Sequence, residues 1–466
     1  MSGFLTRLFR RSSEAPPPTA TTAGDEEDSS QVDGAQADQS WTDMTGDYAK
    51  SKRISATDSA FGVDDVIRID FLMELPYELA VQIAAQIHNL STVLVMAQVS
   101  KRWSRVAREN EVWRHLYMAE WLALSHSSSE SEEMMARSQL AQMKKHLATS
   151  RRANKKHDWR NTFRQGLSLD QNWRKGNVAV KHLSGHEDAV YCIQFDGNFL
   201  LSGSRDRTLR FWDIREQKCV RSLEGHSGSV LCLQYDHRYI VTGSSDMSIV
   251  IWDFATRRRL HTLRGHGAAV LDVRFNDEVI VSCSKDCSIK IWSLATGKLL
   301  RTLEGHHAAV NAIHLHGGQI ASASGDCTIK IWDVATGKCL RELCGHTRGL
   351  ACVQFDGSYL VSGSNDHTVK VWDALTGECL RTLVDHTDLV RTLCFNRKRI
   401  VSGSYDQTIK VWDFETGELQ LNLNGAHSSW IFHVQMDATK IISSSQDKKI
   451  VVWDFSGGIE DASDFA

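Results

Sequence analysis

A histidine, a serine or threonine, and an aspartate occur together seven times between residues 186 and 447. In the first set His186 is followed by Ser202 and Asp206, and Trp212 comes six residues after the aspartate. A serine activated by a histidine that an aspartate orients is the nucleophilic machinery of many hydrolases. An enzyme needs one such set, whereas here the same residues return in every unit beside a tryptophan. The recurrence therefore favours a structural role over a catalytic one.

The sets are spaced by close to 40 residues, and a constant period of this kind identifies a repeat architecture. Every unit carries each landmark. The histidines are His186, His226, His266, His306, His346, His386 and His427; the hydroxyl residues are Ser202, Thr242, Ser282, Ser322, Ser362, Ser402 and Ser443; the aspartates are Asp206, Asp246, Asp286, Asp326, Asp366, Asp406 and Asp447; and the tryptophans are Trp212, Trp252, Trp292, Trp332, Trp372, Trp412 and Trp453.

Short apolar blocks separated by turn residues fill each unit. One block is Val190-Tyr191-Cys192-Ile193, and one of the turns is Thr296-Gly297. Such blocks predict four short strands per unit. The units resemble the WD40 family, whose repeat carries a Gly-His dipeptide and ends in Trp-Asp. The resemblance implies a mainly β fold, a seven-bladed WD40 β-propeller over residues 178–456, in which the recurring His, Ser or Thr, Asp and Trp form a buried hydrogen-bond network.

The two ends of the repeat region predict how the ring closes. The last unit ends at Trp453-Asp454, while residues 178–183 precede the first Gly-His dipeptide. We expect this N-terminal piece to supply the outer strand of the last blade, because that removes an open sheet edge. Three departures predict altered turns without a change of fold: Asp385 replaces the glycine of the sixth Gly-His, Ala426 is inserted before His427, and Ser293 replaces the aspartate of the third Trp-Asp.

A helical pattern precedes the propeller. Pro76 suits the first position of a helix, and Leu79 and Ile83 follow at a four-residue step on one apolar stripe. Ser91 or Thr92 is the expected cap of a second helix.

The order of motifs over residues 70–121 resembles the F-box, a module that docks on the Skp adaptor of cullin–RING ubiquitin ligases. The resemblance rests on Leu75-Pro76, on Val99-Ser100-Lys101-Arg102-Trp103 and on Trp113-Arg114-His115-Leu116-Tyr117. Another small amphipathic three-helix domain would also carry Leu, Ile and Trp at such spacings. The resemblance implies an adaptor-binding surface among Leu75, Pro76, Leu79, Ile83, Leu94, Val99 and Trp103, some of which would instead hold the module's own core.

Composition divides the rest of the chain. Residues 1–65 are poor in apolar side chains and predict a disordered N-terminal tail, and residues 122–172 predict a helical linker. Residues 457–466 form an acidic tail.

The WD40 resemblance also implies where a protein target binds, namely the face with the loops around each Gly-His dipeptide. The candidate substrate-binding residues are Tyr191, Arg205, Lys285, Arg348, Arg391 and Tyr405. In the seventh blade the position equivalent to Tyr191 is Ile431 or Phe432, because of the insertion. The basic residues among them favour a phosphorylated target, because a guanidinium pairs with phosphate oxygens. The apolar or neutral residues at the other positions favour a target segment that combines one phosphate with apolar anchors. The alternative is that these basic residues are ordinary exposed surface residues.

Composition bears on other functional classes. A formal charge of −3 gives no drive towards nucleic acid or membranes, and no apolar stretch predicts a transmembrane helix. The eleven cysteines show no metal-ligand spacing, so we expect buried thiols in a reducing compartment, the cytoplasm or the nucleus. No residue set predicts a catalytic centre, a metal site or a cofactor.

Together the resemblances imply a non-catalytic substrate receptor of a Skp–cullin–F-box (SCF) ubiquitin ligase. Its partners would be the Skp adaptor, through it a cullin–RING ligase, and a protein target. The receptor would act by holding the target near the activated ubiquitin, which raises the effective concentration of the target for ubiquitin transfer. A WD40 scaffold outside the ubiquitin system is the alternative.

Overall fold

The computed structural model describes residues 75–119 and 157–459, and the chain divides into two compact units between Leu116 and Tyr117. The predicted disordered tail lies outside the described residues, as do most of the predicted helical linker and of the acidic tail.

Residues 75–119 form four helices: α1 (Tyr77–Ala85), α2 (Leu90–Val99), α3 (Lys101–Ala107) and α4 (Asn110–Tyr117). Both α1 and α2 pack against α3. Small or branched side chains such as Ala80, Val93 and Val106 are fully buried between them. Tyr77 ties the module together, since its hydroxyl donates to the Glu109 carboxylate at 2.6 Å. Burial, followed by this hydrogen bond, raises the pKa of Tyr77 to about 12.

The helix starts differ slightly from the prediction. Pro76 precedes α1 with an extended backbone instead of taking its first position. The predicted cap of α2, Ser91 or Thr92, is wrong: Asn89 caps this helix and accepts a hydrogen bond from the Thr92 amide at 3.1 Å. The backbone at Asn89 is extended, so its carboxamide reaches the amides of the first turn, as capping requires.

The second unit is a seven-bladed β-propeller preceded by helix α5 (Trp159–Lys175). Each blade is an antiparallel four-stranded sheet. The strands are β1 (Ala179–Ser184), β2 (Val190–Asp196), β3 (Phe199–Ser204), β4 (Thr208–Asp213), β5 (Lys218–Glu224), β6 (Val230–Tyr235), β7 (Tyr239–Ser244), β8 (Ser248–Asp253), β9 (Arg259–Arg264), β10 (Val270–Phe275), β11 (Val279–Ser284), β12 (Ile289–Ser293), β13 (Leu299–Leu303), β14 (Val310–His316), β15 (Gln319–Ser324), β16 (Thr328–Asp333), β17 (Cys339–Cys344), β18 (Leu350–Phe355), β19 (Tyr359–Ser364), β20 (Thr368–Asp373), β21 (Cys379–Val384), β22 (Val390–Phe395), β23 (Arg399–Ser404), β24 (Ile409–Asp413), β25 (Leu419–Leu423), β26 (Ile431–Met436), β27 (Lys440–Ser445) and β28 (Lys449–Asp454).

The predicted closure of the ring is confirmed. Strand β1 is the outer strand of the last blade and pairs with β28 from Ala179↔Asp454 to Ser184↔Lys449. Leu183 of β1 is buried in one cluster with Ile450 of the last blade and Ile193 of the first. Six paired residues and this shared core join the start of the propeller to its end.

Side chains of the inner strands also link neighbouring blades. The Gln194 carboxamide accepts from the Tyr235 amide of the next blade at 2.7 Å and donates to the Tyr235 carbonyl at 3.0 Å. Gln435 makes the same two bonds to Phe195 and so crosses the closure point. These side-chain amides satisfy backbone groups on the edge of the neighbouring inner strand.

Helix α5 is attached to the propeller at the sixth and seventh blades. Trp173 stacks on Phe455 with ring centroids 3.9 Å apart, and its indole N–H donates to the Ala438 carbonyl at 2.8 Å. The Arg399 guanidinium lies over Trp173 and pairs with Asp170 of the helix at 2.5 Å. The attachment therefore combines apolar stacking with a largely buried ion pair.

The predicted network is present in all seven blades. The histidine Nδ1 lies 2.7–3.1 Å from the aspartate carboxylate, and its Nε2 lies 2.7–2.8 Å from the hydroxyl oxygen. The tryptophan indole N–H donates to that same oxygen at 2.8–3.1 Å. A neutral ring that donates from Nδ1 and accepts at Nε2 satisfies every member. All these polar groups are partnered, so the sets are structural.

The three departures from the repeat are absorbed locally. The Lys410 ammonium pairs with Asp385, and the Thr296 amide donates to the Ser293 hydroxyl in place of a carboxylate. The insertion before His427 follows Gly425, whose φ of 79° supplies a left-handed turn.

The prediction of buried cysteines is partly wrong. All eleven thiols, which lie within the described propeller, are free, and five of them are buried. Cys219, Cys339, Cys344 and Cys379 are exposed because they lie on outer strands, where one side of the blade faces solvent.

Removing one network hydroxyl should destabilise the propeller. Thr242→Val preserves the shape of the side chain but leaves His226 Nε2 and Trp252 Nε1 without their partner. We expect a loss of about 1–3 kcal/mol in the free energy of unfolding, measured by urea titration. Thr242→Ser keeps the hydroxyl and should cost less than about 1 kcal/mol. Equal losses in the two variants would contradict a stabilising role for the hydroxyl.

The network also predicts acid sensitivity. Burial lowers the pKa of His266, while hydrogen bonds from Ser288, Gly267 and His266 outweigh burial and lower the pKa of Asp286 to about 2. Both groups bind protons more readily in the unfolded chain, so stability rises with pH. Unfolding free energy should fall first below the ordinary histidine value of 6.5 and again below the ordinary aspartate value of 3.8. A flat urea midpoint across both ranges would exclude this coupling.

Candidate functional site

A small cavity lies at the centre of the ring, where the seven inner strands converge. One residue of each inner strand lines it at the same position: Tyr191, Leu231, Leu271, Asn311, Ala351, Arg391 and Phe432. In every blade this residue is the unpaired one of a β-bulge between the inner strand and its neighbour. A bulge re-aims its side chain out of the regular alternation of a strand. The sequence left Ile431 and Phe432 open for the seventh blade; the position is Phe432, which is the bulged residue and lines the cavity, whereas Ile431 pairs with Ser445.

An aromatic arc lies at one side of this cavity, on the sixth, seventh and first blades. Tyr405 stacks on Trp430 with ring centroids 4.6 Å apart and nearly parallel planes. Phe432 contacts Tyr405 edge-on at 5.9 Å and Tyr191 at 4.9 Å. Trp430 is 43% exposed although it belongs to this cluster. The arc therefore presents a rigid apolar shelf to solvent.

One guanidinium accompanies the arc. Arg391 donates to the Ala351 carbonyl at 3.2 Å, which holds its side chain across the cavity. Burial raises the pKa of the Tyr405 phenol, and Arg391 opposes that rise. The phenol is consequently a neutral hydrogen-bond donor beside a fixed cation. This combination suits an apolar side chain with one anionic group next to it.

The predicted target-binding residues are only partly brought together. Tyr191, Arg391 and Tyr405 belong to the arc or its edge. Arg205 is exposed and lies 3.6 Å from the Asp188 carboxylate. Lys285 and Arg348 are exposed on the third and fifth blades. The four cations of the prediction are thus distributed over four blades.

Trp430 is the residue that sequence reasoning missed. Its equivalents in the other units are small or aliphatic: Ala189, Ser229, Ala269, Ala309, Gly349 and Leu389. The available signal was one aromatic side chain at a repeat position where the other six units have small or aliphatic residues. The inserted Ala426 concealed it by shifting the seventh unit by one position.

The helical unit carries a second candidate surface. Of the predicted adaptor-binding residues, Leu79 and Ile83 on α1 are each 45% exposed, and Val99 on α2 is 59% exposed. Pro76 is exposed too, whereas Leu75, Leu94 and Trp103 are half-buried. Val95, one turn before Val99, is 46% exposed and was not predicted. Each of the two helices therefore shows apolar side chains to solvent at a four-residue step.

Two other kinds of site are missing from the described part of the chain. Among residues 75–119 and 157–459, no group of three or more His, Cys, Asp or Glu side chains is arranged to hold a metal ion. No helix in those ranges is long and apolar enough to cross a membrane.

The fold and these surfaces define a propeller binding module joined to a small helical module. Seven segments match the WD domain, G-beta repeat: residues 177–213, 217–253, 257–293, 297–333, 337–373, 377–413 and 417–454. They cover more than half of the chain, which belongs to the WD40-repeat family. Residues 72–119 match the F-box-like module.

Several curated proteins resemble this chain. The probable E3 ubiquitin ligase complex SCF subunit sconB of Arthroderma otae is 29% identical over 168 residues, which are 34% of this chain and 25% of that protein. An F-box protein of Saccharomyces cerevisiae is 30% identical over 169 residues, with 34% and 25% covered. The probable SCF subunit scon-2 of Neurospora crassa is 26% identical over 214 residues, with 34% and 32% covered. The matched region thus spans about a quarter to a third of these relatives.

Proposed function

We propose that this protein is the substrate-recognition subunit of an SCF-type E3 ubiquitin ligase. The observation that carries the proposal is an F-box-like module with exposed apolar helix faces, in the same chain as a WD40 propeller. Relatives that are named as SCF subunits support it.

The helical module would bind the Skp adaptor through the faces that carry Leu79, Ile83, Val95 and Val99. Apolar side chains left half-exposed on a small module cost free energy that a protein interface recovers. The half-buried Leu75, Leu94 and Trp103 contribute more to the shape of that surface than to its contact area.

The propeller would hold the protein target at the aromatic arc. One fixed guanidinium beside a shelf of four aromatic rings favours a target segment with apolar anchors and a single anionic group, phosphate or carboxylate. A segment with several phosphates would have to reach Arg205, Lys285 or Arg348, which lie on the first, third and fifth blades. Interface energy concentrates in such aromatic and arginine positions.

The role we propose is non-catalytic. The Ser, His and Asp sets of all seven blades are committed to the buried network, so they are not available as nucleophile and base. The chain would act by holding a target near the ligase's catalytic partner. Eleven free thiols support a reducing compartment, and we propose the cytoplasm or the nucleus.

The second candidate function is a WD40 scaffold outside the ubiquitin system. The propeller by itself favours it equally, because the fold is a binding platform without a fixed partner. Binding of the Skp adaptor separates the two candidates.

Polar substitutions on α1 should abolish adaptor binding. We expect the doubly substituted Leu79→Ser/Ile83→Ser chain to recover at least about tenfold less Skp adaptor and cullin in a pull-down, because two apolar contacts are lost. The matched control is Gln82→Ser/Gln86→Ser, in and directly after the same helix, where both side chains are exposed and polar. Equal adaptor recovery from both variants would show that the adaptor binds elsewhere than this face of α1, and no recovery from the wild type would favour the scaffold function.

Truncation of the exposed tryptophan should release the target and leave the adaptor bound. For Trp430→Ala we expect target proteins to disappear from the co-purified set, by quantitative mass spectrometry, while Skp adaptor recovery stays unchanged. Met247→Ala is the control, since Met247 is 47% exposed on a blade outside the arc. Targets retained by Trp430→Ala but lost from Met247→Ala would move the binding site away from the arc.

A further inference from the structure

A groove of about 570 Å³ lies between the first and second blades, away from the surfaces of the proposed function. It is lined by residues at the β2–β3 turn, by residues of strands β4 and β5, and by residues of the β8–β9 turn. In the first blade Val190 pairs with Ser204 at the cavity end of the strands, whereas Phe199 pairs with Asp213 at the other end. The groove therefore opens at the face opposite the aromatic arc.

Arg257 stands at a backbone position where four other blades have glycine and the first blade has Gln217. The equivalents in the third to sixth units are Gly297, Gly337, Gly377 and Gly417, with φ between 67° and 80°. Arg257 adopts the same left-handed conformation with φ of 60°, which strains any residue with a Cβ. Its guanidinium lies 4.1 Å from the Phe254 ring centroid and 4.6 Å from that of Phe211. The strained turn thus holds a cation between two aromatic rings at the edge of the groove.

Two polar atoms of this cluster have no partner. Arg257 Nη1 and the Tyr235 hydroxyl are buried and make no hydrogen bond within the described part of the chain. The Tyr235 ring contacts Phe199 at 5.4 Å and Phe254 at 5.7 Å, so it belongs to the same aromatic cluster. Buried polar groups of native proteins are nearly always satisfied, and each exception calls for an explanation.

A second guanidinium lines the same groove. Arg221 and Arg257 both line it, and burial, followed by the positive charge of Arg221, lowers the pKa of Arg257. No ion pair is formed by either arginine among the described residues. The Asp213 carboxylate nearby already accepts the amides of Arg215 and Glu216, at 2.8 and 3.0 Å. An anion between the two guanidinium groups would remove their mutual repulsion.

The apolar part of the groove limits what else binds. Val220, 70% exposed, lies beside Phe211 on its wall, and Asp196 lies on the rim. A densely charged polyanion would be repelled by Asp196 and would leave Val220 uncovered. A segment with one anionic group and a neighbouring apolar side chain would pair with the two guanidinium groups and also cover Val220.

We propose that the Arg221–Arg257 groove binds an acidic segment of a second protein, with one carboxylate or phosphate between the guanidinium groups and an adjacent apolar side chain over Val220. This docking site lies at the opposite face from the arc, so it holds whether or not the chain is a ligase receptor.

The test uses the full chain and fluorescence anisotropy of labelled dodecapeptides. One probe carries two glutamate–phenylalanine pairs, a second has phosphoserine in place of each glutamate, and a third has lysine there. The wild type should bind the acidic probes, and Arg221→Ser/Arg257→Gly should weaken that binding by at least about tenfold. The tighter of the two acidic probes tells a carboxylate site from a phosphate site.

Two controls make the result specific. Arg258→Ser removes an exposed cation from the same turn and should leave acidic-probe affinity within about twofold. Arg257→Gly restores the residue of four other units, so its thermal unfolding should not be impaired. Equal binding of the lysine probe, or unchanged affinity in Arg221→Ser/Arg257→Gly, would overturn the proposal. Tighter Arg257-dependent binding of a single-stranded oligonucleotide would overturn it too. Arg257-dependent tightening after removal of residues 460–466 would assign the groove to the chain's own tail and not to a second protein.

Discussion

The ring of blades exists because its first strand belongs to its last blade. Strand β1 pairs with β28, and Leu183 completes a core that the first and last blades share. The Gln435 carboxamide crosses the same junction and satisfies the backbone of Phe195. Without this closure the inner strands would not converge on a common cavity, and helix α5 would lose the seventh-blade surface on which Trp173 stacks. Target site and helix attachment both depend on it.

Within the closed ring, structure and recognition use different residues of the same repeat. The His, Ser or Thr, Asp and Trp of each unit are buried and fully bonded, so they are equivalent in all blades and carry no specificity. The bulged residue one step beyond the apolar start of each inner strand is free to vary, because its side chain points into the cavity. Variation there supplies Tyr191 and Phe432 of the aromatic arc and Arg391 beside them, while the other four blades have leucine, asparagine or alanine.

The helical module, the arc and the groove between the first two blades differ in how they meet solvent. The helical module leaves apolar side chains half-exposed. The arc exposes one face of a stacked tryptophan. The groove holds two cations that have no counter-ion among the described residues. Each is a departure from a minimal-energy monomer surface, which is why each points to a partner.

The sequence by itself determined the number of blades, the strand order, the closure and the buried network, because these follow from a strict period and from polar residues that must be satisfied. It also identified Tyr191, Arg391 and Tyr405 as facing one site. Only the tertiary structure decided which predicted helix residues are exposed, since a stripe at a four-residue step contains both core and surface positions. It also decided that Phe432, not Ile431, faces the cavity and that Trp430 stacks on Tyr405. The physical reason is that the bulge and the insertion set side-chain direction through three-dimensional contacts, which the spacing of residues along the chain does not encode.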